Sequence, residues 1–194
     1  SPLTLIGFSL GGNVTLKTIG ELGDDPCGGL DSAAAVAPPF DLEASSCHIS
    51  TGINQLYDRY YAWLCLQFFA EHRRNWPEFR KHPLNPAPQR LKEFDHRYTA
   101  PLSGFSSVDD YYTRASALPV VDRIRIPTLV ITAADDPAVP VGIFSTAPFS
   151  KSVVLRITDH GGHLGHVGSD GVDPDNRWME WRILEWVEEM ERRR

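Results

Sequence analysis

The chain has 194 residues, of which 42% are apolar and 23% charged. These proportions exclude a disordered chain, a collagen and a coiled coil, and the length fits one globular domain. The formal net charge of −6 argues against a nucleic-acid partner, because polyanions are bound by basic surfaces. No apolar run approaches the roughly 20 residues that cross a bilayer, and no signal-peptide pattern opens the sequence. We therefore expect a cytoplasmic protein without a membrane span.

The three cysteines are Cys27, Cys47 and Cys65. An odd number without a CxxC pair predicts neither a disulfide framework nor a metal knuckle. We expect free thiols in a reducing compartment and no cofactor.

Predicted strands and helices alternate along most of the chain. Short apolar runs predict four buried strands, at residues 3–8, 32–36, 128–133 and 152–157. Apolar residues three and four apart predict a helix over 13–22 and an amphipathic helix over 176–194. This alternation predicts an α/β fold with a parallel sheet.

A long insertion at about residues 48–118 separates the second and third predicted strands. It holds 13 of the 20 aromatic residues, including all six tyrosines. We expect a packed helical subdomain inside a single domain spanning 1–194. Such an insertion would act as a cap over the sheet and as a wall of the substrate pocket.

Directly after the first predicted strand comes Gly7-Phe8-Ser9-Leu10-Gly11-Gly12, which has the form G-x-S-x-G. In a strand–turn–helix context this motif places a nucleophilic serine on a tight turn at the carboxyl edge of the sheet. We predict that a Cβ at Gly7 or Gly11 would collide with neighbouring backbone. The helix N-terminus would offer the Leu10 N–H to a developing oxyanion.

A serine nucleophile requires a base and a carboxylate that orients it. The third predicted strand is followed by Asp135-Asp136, and the fourth by a loop with three histidines. The order serine, acid, histidine is the one that this kind of sheet requires. We favour Asp136 because Pro-Ala-Val-Pro follows it, and Asp135 remains the alternative acid.

His160, His163 and His166 recur at every third residue of the loop. His163 is the predicted base, because two preceding glycines let the loop approach the serine closely. The other two histidines are predicted to pack the loop or to lie at the surface. A metal site is the alternative, but the spacing lacks the helical HExxH pattern.

These residues together resemble the YheT-like branch of the alpha/beta-hydrolases, also called alpha/beta-hydrolase family 4. The resemblance runs from Gly7 to Gly165, and a signature between Phe94 and Ser116 distinguishes this branch from generic esterases. The matching pieces are Gly7–Asn13, Phe94-Asp95, Tyr98–Pro101, Gly104-Phe105, Asp110–Tyr112 with Ser116, Ile126-Pro127, Ala134–Pro137 and Gly161–Gly165.

The resemblance implies the alpha/beta-hydrolase fold and a serine hydrolase with the triad Ser9, Asp136 and His163. The expected substrates are short- or medium-chain acyl esters, acylglycerols or phospholipids. Two other interpretations stay open, a non-catalytic α/β scaffold and an acyltransferase that hands the acyl group to an alcohol.

Members of this family carry further strands before the nucleophile strand and draw a second oxyanion donor from them. Only the C-terminal portion of the fold is expected here, with about four parallel strands and with the N-terminal strands and second donor absent. We expect an open sheet edge beside residues 3–8. The fragment alone would be inactive or poorly folded unless a complementing N-terminal segment joined it.

Overall fold

A computed structural model describes residues 3–25, 29–169 and 171–193. Its single described sheet has the strand order β1-β2-β3-β4, and every neighbouring pair is parallel. The strands are β1 (Leu3–Phe8), β2 (Leu30–Val36), β3 (Thr128–Ala133) and β4 (Val153–Thr158). Four parallel strands were predicted, and the observed boundaries lie within two residues of the predicted ones. The α/β prediction is confirmed.

Helices connect and follow these strands. The α-helices are α1 (Leu10–Leu22), α2 (Leu42–Ile49), α3 (Gln55–His72), α4 (Pro77–Arg80), α5 (Leu91–Phe94), α6 (Ala100–Leu102), α7 (Val108–Ala115), α8 (Gly142–Thr146) and α9 (Trp178–Arg192). Short 3-10 helices lie at Gly52–Asn54 and Leu118–Arg123, and a π-helical turn spans Asp95–Thr99.

The two faces of the sheet carry separate apolar cores, because successive side chains of a strand point to opposite faces. One core combines Ala33, Ala35 and Val130 of the strands with Leu16 and Ile19 of α1. The other core lies against α9. Its strand members are Ala34, Val36, Leu129 and Ile131, and its helix members are Met179, Ile183, Trp186 and Met190. The sheet is therefore covered by α1 on one face and by α9 on the other.

Contacts divide the chain into two compact units. Leu42–Ala115 forms one unit, and the described residues on both sides of it form the other, which contains the sheet. In the first unit aromatic rings pack on one another. Phe69 stacks on Phe79 with ring centroids 4.5 Å apart and packs at a tilt against Tyr98 at 4.3 Å. That the insertion at 48–118 serves as a cap stays a prediction.

The edge strand β1 carries exposed apolar side chains. Leu3, Ile6 and Phe8 of β1 are 55%, 38% and 43% exposed. Cys47 and Cys65 are not in disulfide bonds, whereas Cys27 lies outside the described residues. Within the described ranges, every helix is too short or too polar to cross a bilayer.

Candidate active site

Ser9 occupies a sharp turn between β1, which ends at Phe8, and α1, which begins at Leu10. Its φ of 49° lies in the left-handed region, which costs a non-glycine residue about 1–3 kcal/mol. Three backbone hydrogen bonds hold this conformation. The Ser9 N–H donates to the Val36 carbonyl at 2.8 Å, and the Ser9 carbonyl accepts from the N–H groups of Gly12 at 2.8 Å and Asn13 at 3.2 Å.

The glycines of this turn differ in how much space a side chain would have. A Cβ on Gly7 would lie 2.3 Å from the Gly11 carbonyl oxygen, so no side chain fits there. A Cβ on Gly11 would meet no atom within 4 Å, and the prediction of a collision at Gly11 is wrong. Gly12 makes the close approach instead, because its Cβ would lie 3.0 Å from the Pro38 Cβ and 3.3 Å from the Val36 carbonyl oxygen. The first helical turn points Gly12, and not Gly11, toward the sheet.

Leu10 is the first residue of α1, so its N–H lies among those that the helix itself does not satisfy. It follows Ser9 directly and belongs to the positive end of the helix dipole. This is the position that the sequence predicts for an oxyanion donor.

Asp136 follows β3 and is 4% exposed. Its Oδ1 accepts the N–H groups of Ala138 at 2.7 Å and Val139 at 3.0 Å, which makes a tight turn of the Asp-Pro-Ala-Val segment. Its Oδ2 lies 2.9 Å from Nδ1 of His163. The backbone bonds orient the carboxylate, and the second oxygen faces the imidazole.

His163 joins the other two residues. Its Nε2 lies 2.7 Å from the Ser9 Oγ, and its Nδ1 faces Asp136. The structure thus brings a hydroxyl, an imidazole and a carboxylate from three separate loops into one hydrogen-bonded row. His163 sits in a turn closed by the Gly165 N–H, which donates to the Gly161 carbonyl at 2.8 Å.

Asp135 has a different set of partners from Asp136. Its Oδ1 accepts the Gly162 N–H at 2.8 Å, and its Oδ2 lies 3.2 Å from Nδ1 of the exposed His160. The Gly162 hydrogen bond, and then His160, lower the pKa of the Asp135 carboxyl. Asp135 therefore ties the acid loop to the histidine turn without touching His163. Sequence patterning missed this bond, since nothing local pairs residues 135 and 162.

The third histidine of the loop, His166, is 6% exposed and stacks on Trp178. His160, His163 and His166 thus have separate environments. No group of three or more His, Cys, Asp or Glu side chains in the described ranges is placed to hold a metal ion.

Asn13 makes a buried hydrogen bond near the start of α1, a role that the sequence did not predict. The side chain is 2% exposed, and its Oδ1 accepts the Ala117 N–H at 2.9 Å. This bond fixes the first turns of α1 to the segment that leads into β3. The Gly-Gly-Asn sequence after Leu10 is the local signal that marks this helix start.

The chain is similar to several known proteins. The chain is 34% identical over 192 residues to the putative esterase YheT of Escherichia coli (strain K12), covering 96% of this chain and 55% of that protein. It is 29% identical over 197 residues to phospholipase ABHD3 of Homo sapiens, covering 98% of this chain and 46% of that protein. This chain therefore spans about half the length of these curated relatives.

Among solved structures, the fold is similar to that of a monoacylglycerol lipase from Paleococcus ferrophilus. The TM-score is 0.50 at 17% identity, over 98% of this chain and 69% of that one. The similarity to YheT confirms the branch that the sequence motifs resemble. A model described as the alpha/beta hydrolase family matches residues 1–174, so the chain belongs to the alpha/beta hydrolase family.

Proposed function

We propose that the protein hydrolyses carboxylic esters through an acyl-enzyme. Ser9 is the nucleophile, His163 the general base and acid, and Asp136 the carboxylate that orients His163. The observation that carries this proposal is the hydrogen-bonded row from the Ser9 Oγ through His163 to Asp136, with distances of 2.7 and 2.9 Å. Both distances lie within the reach that proton transfer requires.

In the first half-reaction the Ser9 Oγ attacks the ester carbonyl carbon while its proton passes to Nε2 of His163. The carbonyl oxygen gains the negative charge, and the Leu10 N–H donates to it. When the tetrahedral intermediate collapses, the bond to the alcohol oxygen breaks. His163 returns the proton to that oxygen, and the acyl group stays on Ser9.

In the second half-reaction water replaces the alcohol. His163 takes a proton from the water, whose oxygen attacks the acyl carbon, and then returns the proton to the Ser9 Oγ as the acid leaves. Asp136 accepts the Nδ1–H of His163 throughout and stabilises the imidazolium. Its backbone bonds to Ala138 and Val139 limit reorganisation during this cycle.

The names of the relatives support the substrate class. One is a putative esterase and another a phospholipase. We infer short- or medium-chain acyl esters, acylglycerols or phospholipids as substrates.

The test is covalent labelling with a fluorophosphonate probe, followed by mapping of the labelled peptide, on this chain with the expected complementing N-terminal segment supplied. Every activity measurement uses this complemented protein. We expect the label on Ser9, its loss in Ser9→Ala, and its retention in Ser103→Ala, which changes an exposed serine far along the chain. Hydrolysis of p-nitrophenyl esters of increasing acyl length should fall by about 10⁴- to 10⁶-fold in Ser9→Ala. A label that survives Ser9→Ala would overturn the assignment. A folded wild type that neither reacts nor hydrolyses any ester would favour a non-catalytic scaffold.

A further inference from the structure

The turn that carries His163 rests on a second histidine. His166 is buried, and its ring lies so close to Gly161 that a Cβ there would be 2.5 Å from its Cδ2 and 2.6 Å from its Nε2. Gly161 is also the residue whose carbonyl accepts the Gly165 N–H and closes the turn. The His166 ring therefore contacts the anchor of the turn that presents His163.

The same ring connects the turn to helix α9. It stacks on the indole of Trp178 with centroids 5.5 Å apart and an interplanar angle of 20°. Trp178 is the first residue of α9, and its ring also faces the Arg182 guanidinium at 5.5 Å. Arg182 in turn pairs with the partly buried Asp173 at 2.5 Å. Aromatic and ionic contacts thus run from the His163 turn to a helix packed on the sheet.

The hydrogen-bonding state of His166 indicates that its flat ring matters more than its polar atoms. In the part of the chain that is described, neither ring nitrogen makes a hydrogen bond of good geometry, and only a weak one to the Thr132 backbone remains. Burial lowers the pKa of His166, and the smaller effects of Asp135, Asp136 and the Thr132 backbone oppose it. The side chain is thus held as a neutral ring between the turn and α9.

The turn needs this external support because its own backbone does not specify one shape. Gly161 and Gly162 allow many conformations. Leu164 has a φ of 71°, which an isolated leucine rarely adopts. Only contacts from outside the turn can select the conformation that aims His163 at both Ser9 and Asp136.

We propose that His166 is a positioning residue for His163, which it holds in line with Ser9 and Asp136 by packing between Gly161 and Trp178. The catalytic consequence rests on the proposed ester hydrolysis, whereas the placement of the His163 ring does not. A displacement of a reacting group by about 1 Å costs on the order of 100-fold in rate. This sets the size of effect that loss of the ring should produce.

The experiment compares three variants of the full chain. His166→Ala removes the ring, and we expect kcat to fall about 30- to 100-fold with KM within about twofold. His166→Phe restores a flat ring and should recover kcat to within about threefold of the wild type. Met190→Ala is the matched control, because it opens a cavity in the same core near the end of α9 opposite Trp178. It should lower stability and leave kcat unchanged.

A second readout does not depend on catalysis. The Nδ1 proton of His163, which the proposed mechanism places in a hydrogen bond to Asp136, should give a low-field NMR signal. We expect it in the wild type, His166→Phe and Met190→Ala, and its loss or broadening in His166→Ala. If His166→Ala does not fold, His166→Leu takes its place, because a branched side chain against Gly161 should displace the turn and lower kcat about tenfold.

The outcomes separate the two proposals. A wild type without esterase activity would defeat the proposed function, and the NMR signals would still test the placement of His163. Two results would overturn the positioning role of His166 without contradicting ester hydrolysis. One is an unchanged His163 Nδ1 proton signal in His166→Ala, and the other is a loss of kcat in Met190→Ala as large as that in His166→Ala.

Discussion

The turn that carries Ser9 and the turn that carries His163 reach their geometry by different routes. The Ser9 turn is built mainly from near neighbours, since Gly7 leaves space for Gly11 and the carbonyl of Ser9 starts α1. The His163 turn depends on partners far along the chain, Asp135 on one side and Trp178 on the other. Local sequence therefore fixes the nucleophile, whereas tertiary packing fixes the base.

Each turn holds one non-glycine residue at positive φ, Ser9 at 49° and Leu164 at 71°. The strain at Ser9 is offset by hydrogen bonds at the start of a helix. The strain at Leu164 is offset by packing, because this side chain joins the apolar core beside α9. Substitutions near Ser9 should therefore act through backbone collisions, and substitutions near His163 through loss of contacts with distant residues.

The largest expected difference is between the two neighbouring acids that face the His163 turn. Asp136→Asn should lower kcat about 10⁴-fold, because an amide disfavours the tautomer of His163 that accepts the Ser9 proton. Asp135→Asn should lower kcat by tenfold or less, since it weakens one partly exposed hydrogen bond to Gly162. Steady-state ester hydrolysis measures kcat for both variants and shows which acid orients His163. Equal losses, or a larger loss for Asp135→Asn, would exchange their roles.

Alanine substitutions at Gly7 and Gly11 test whether contacts between near neighbours determine the Ser9 turn. Gly7→Ala should lower the free energy of unfolding by about 3 kcal/mol, because the added Cβ would lie 2.3 Å from a backbone oxygen. Gly11→Ala should change it by less than about 1 kcal/mol, since the space around Gly11 is open. Urea unfolding of the two variants measures both values. A severe loss in Gly11→Ala would show that the turn has less room than its geometry indicates.

The smallest expected effect concerns the pH dependence of stability at His166. Because burial lowers the pKa of His166 in the folded state, the unfolded chain takes up this proton first as pH falls below about 6.5. The free energy of unfolding therefore decreases on acidification through that range, by at most about 1.4 kcal/mol per pH unit from this single group.

His166→Phe lacks this titrating group. Its free energy of unfolding, measured in denaturant titrations, should therefore fall less steeply than that of the wild type between pH 7.5 and 5. His96→Ala, which removes an exposed histidine of the other unit, controls for the loss of one histidine. Parallel curves for the wild type and His166→Phe would contradict the buried neutral state of His166.

Much of the architecture was accessible from the sequence. Four strands were located within two residues, because apolar runs between turn residues are a local signal. The order of Ser9, Asp136 and His163 after successive strands predicted residues that the structure brings within hydrogen-bond distance. The roles of these residues stay proposals until the labelling and kinetic experiments are done.

The incorrect and the missing predictions share one cause, which is that the direction and the partners of a side chain depend on residues distant in the chain. Gly11 was predicted to be sterically required, but the direction of the first helical turn gives that role to Gly12. The hydrogen bond from the Gly162 N–H to Asp135 was not predicted, because it joins two separate loops. Loop packing was one of the two predictions for His166, but its partner Trp178 was not predicted.

The sequence by itself determined the alternation of strands and helices, the tight strand-to-helix turn at Ser9 and the loops that deliver an acid and a histidine. These follow from periodicity and backbone preference, which act over a few residues. Only the tertiary structure showed that Gly12, and not Gly11, faces the sheet, and that Asp135 accepts the Gly162 N–H while Asp136 faces His163. The direction of Gly12 and the partner of Asp135 depend on packing against residues distant in the chain, whereas the Pro-Ala-Val-Pro that follows Asp136 already favoured it as the acid.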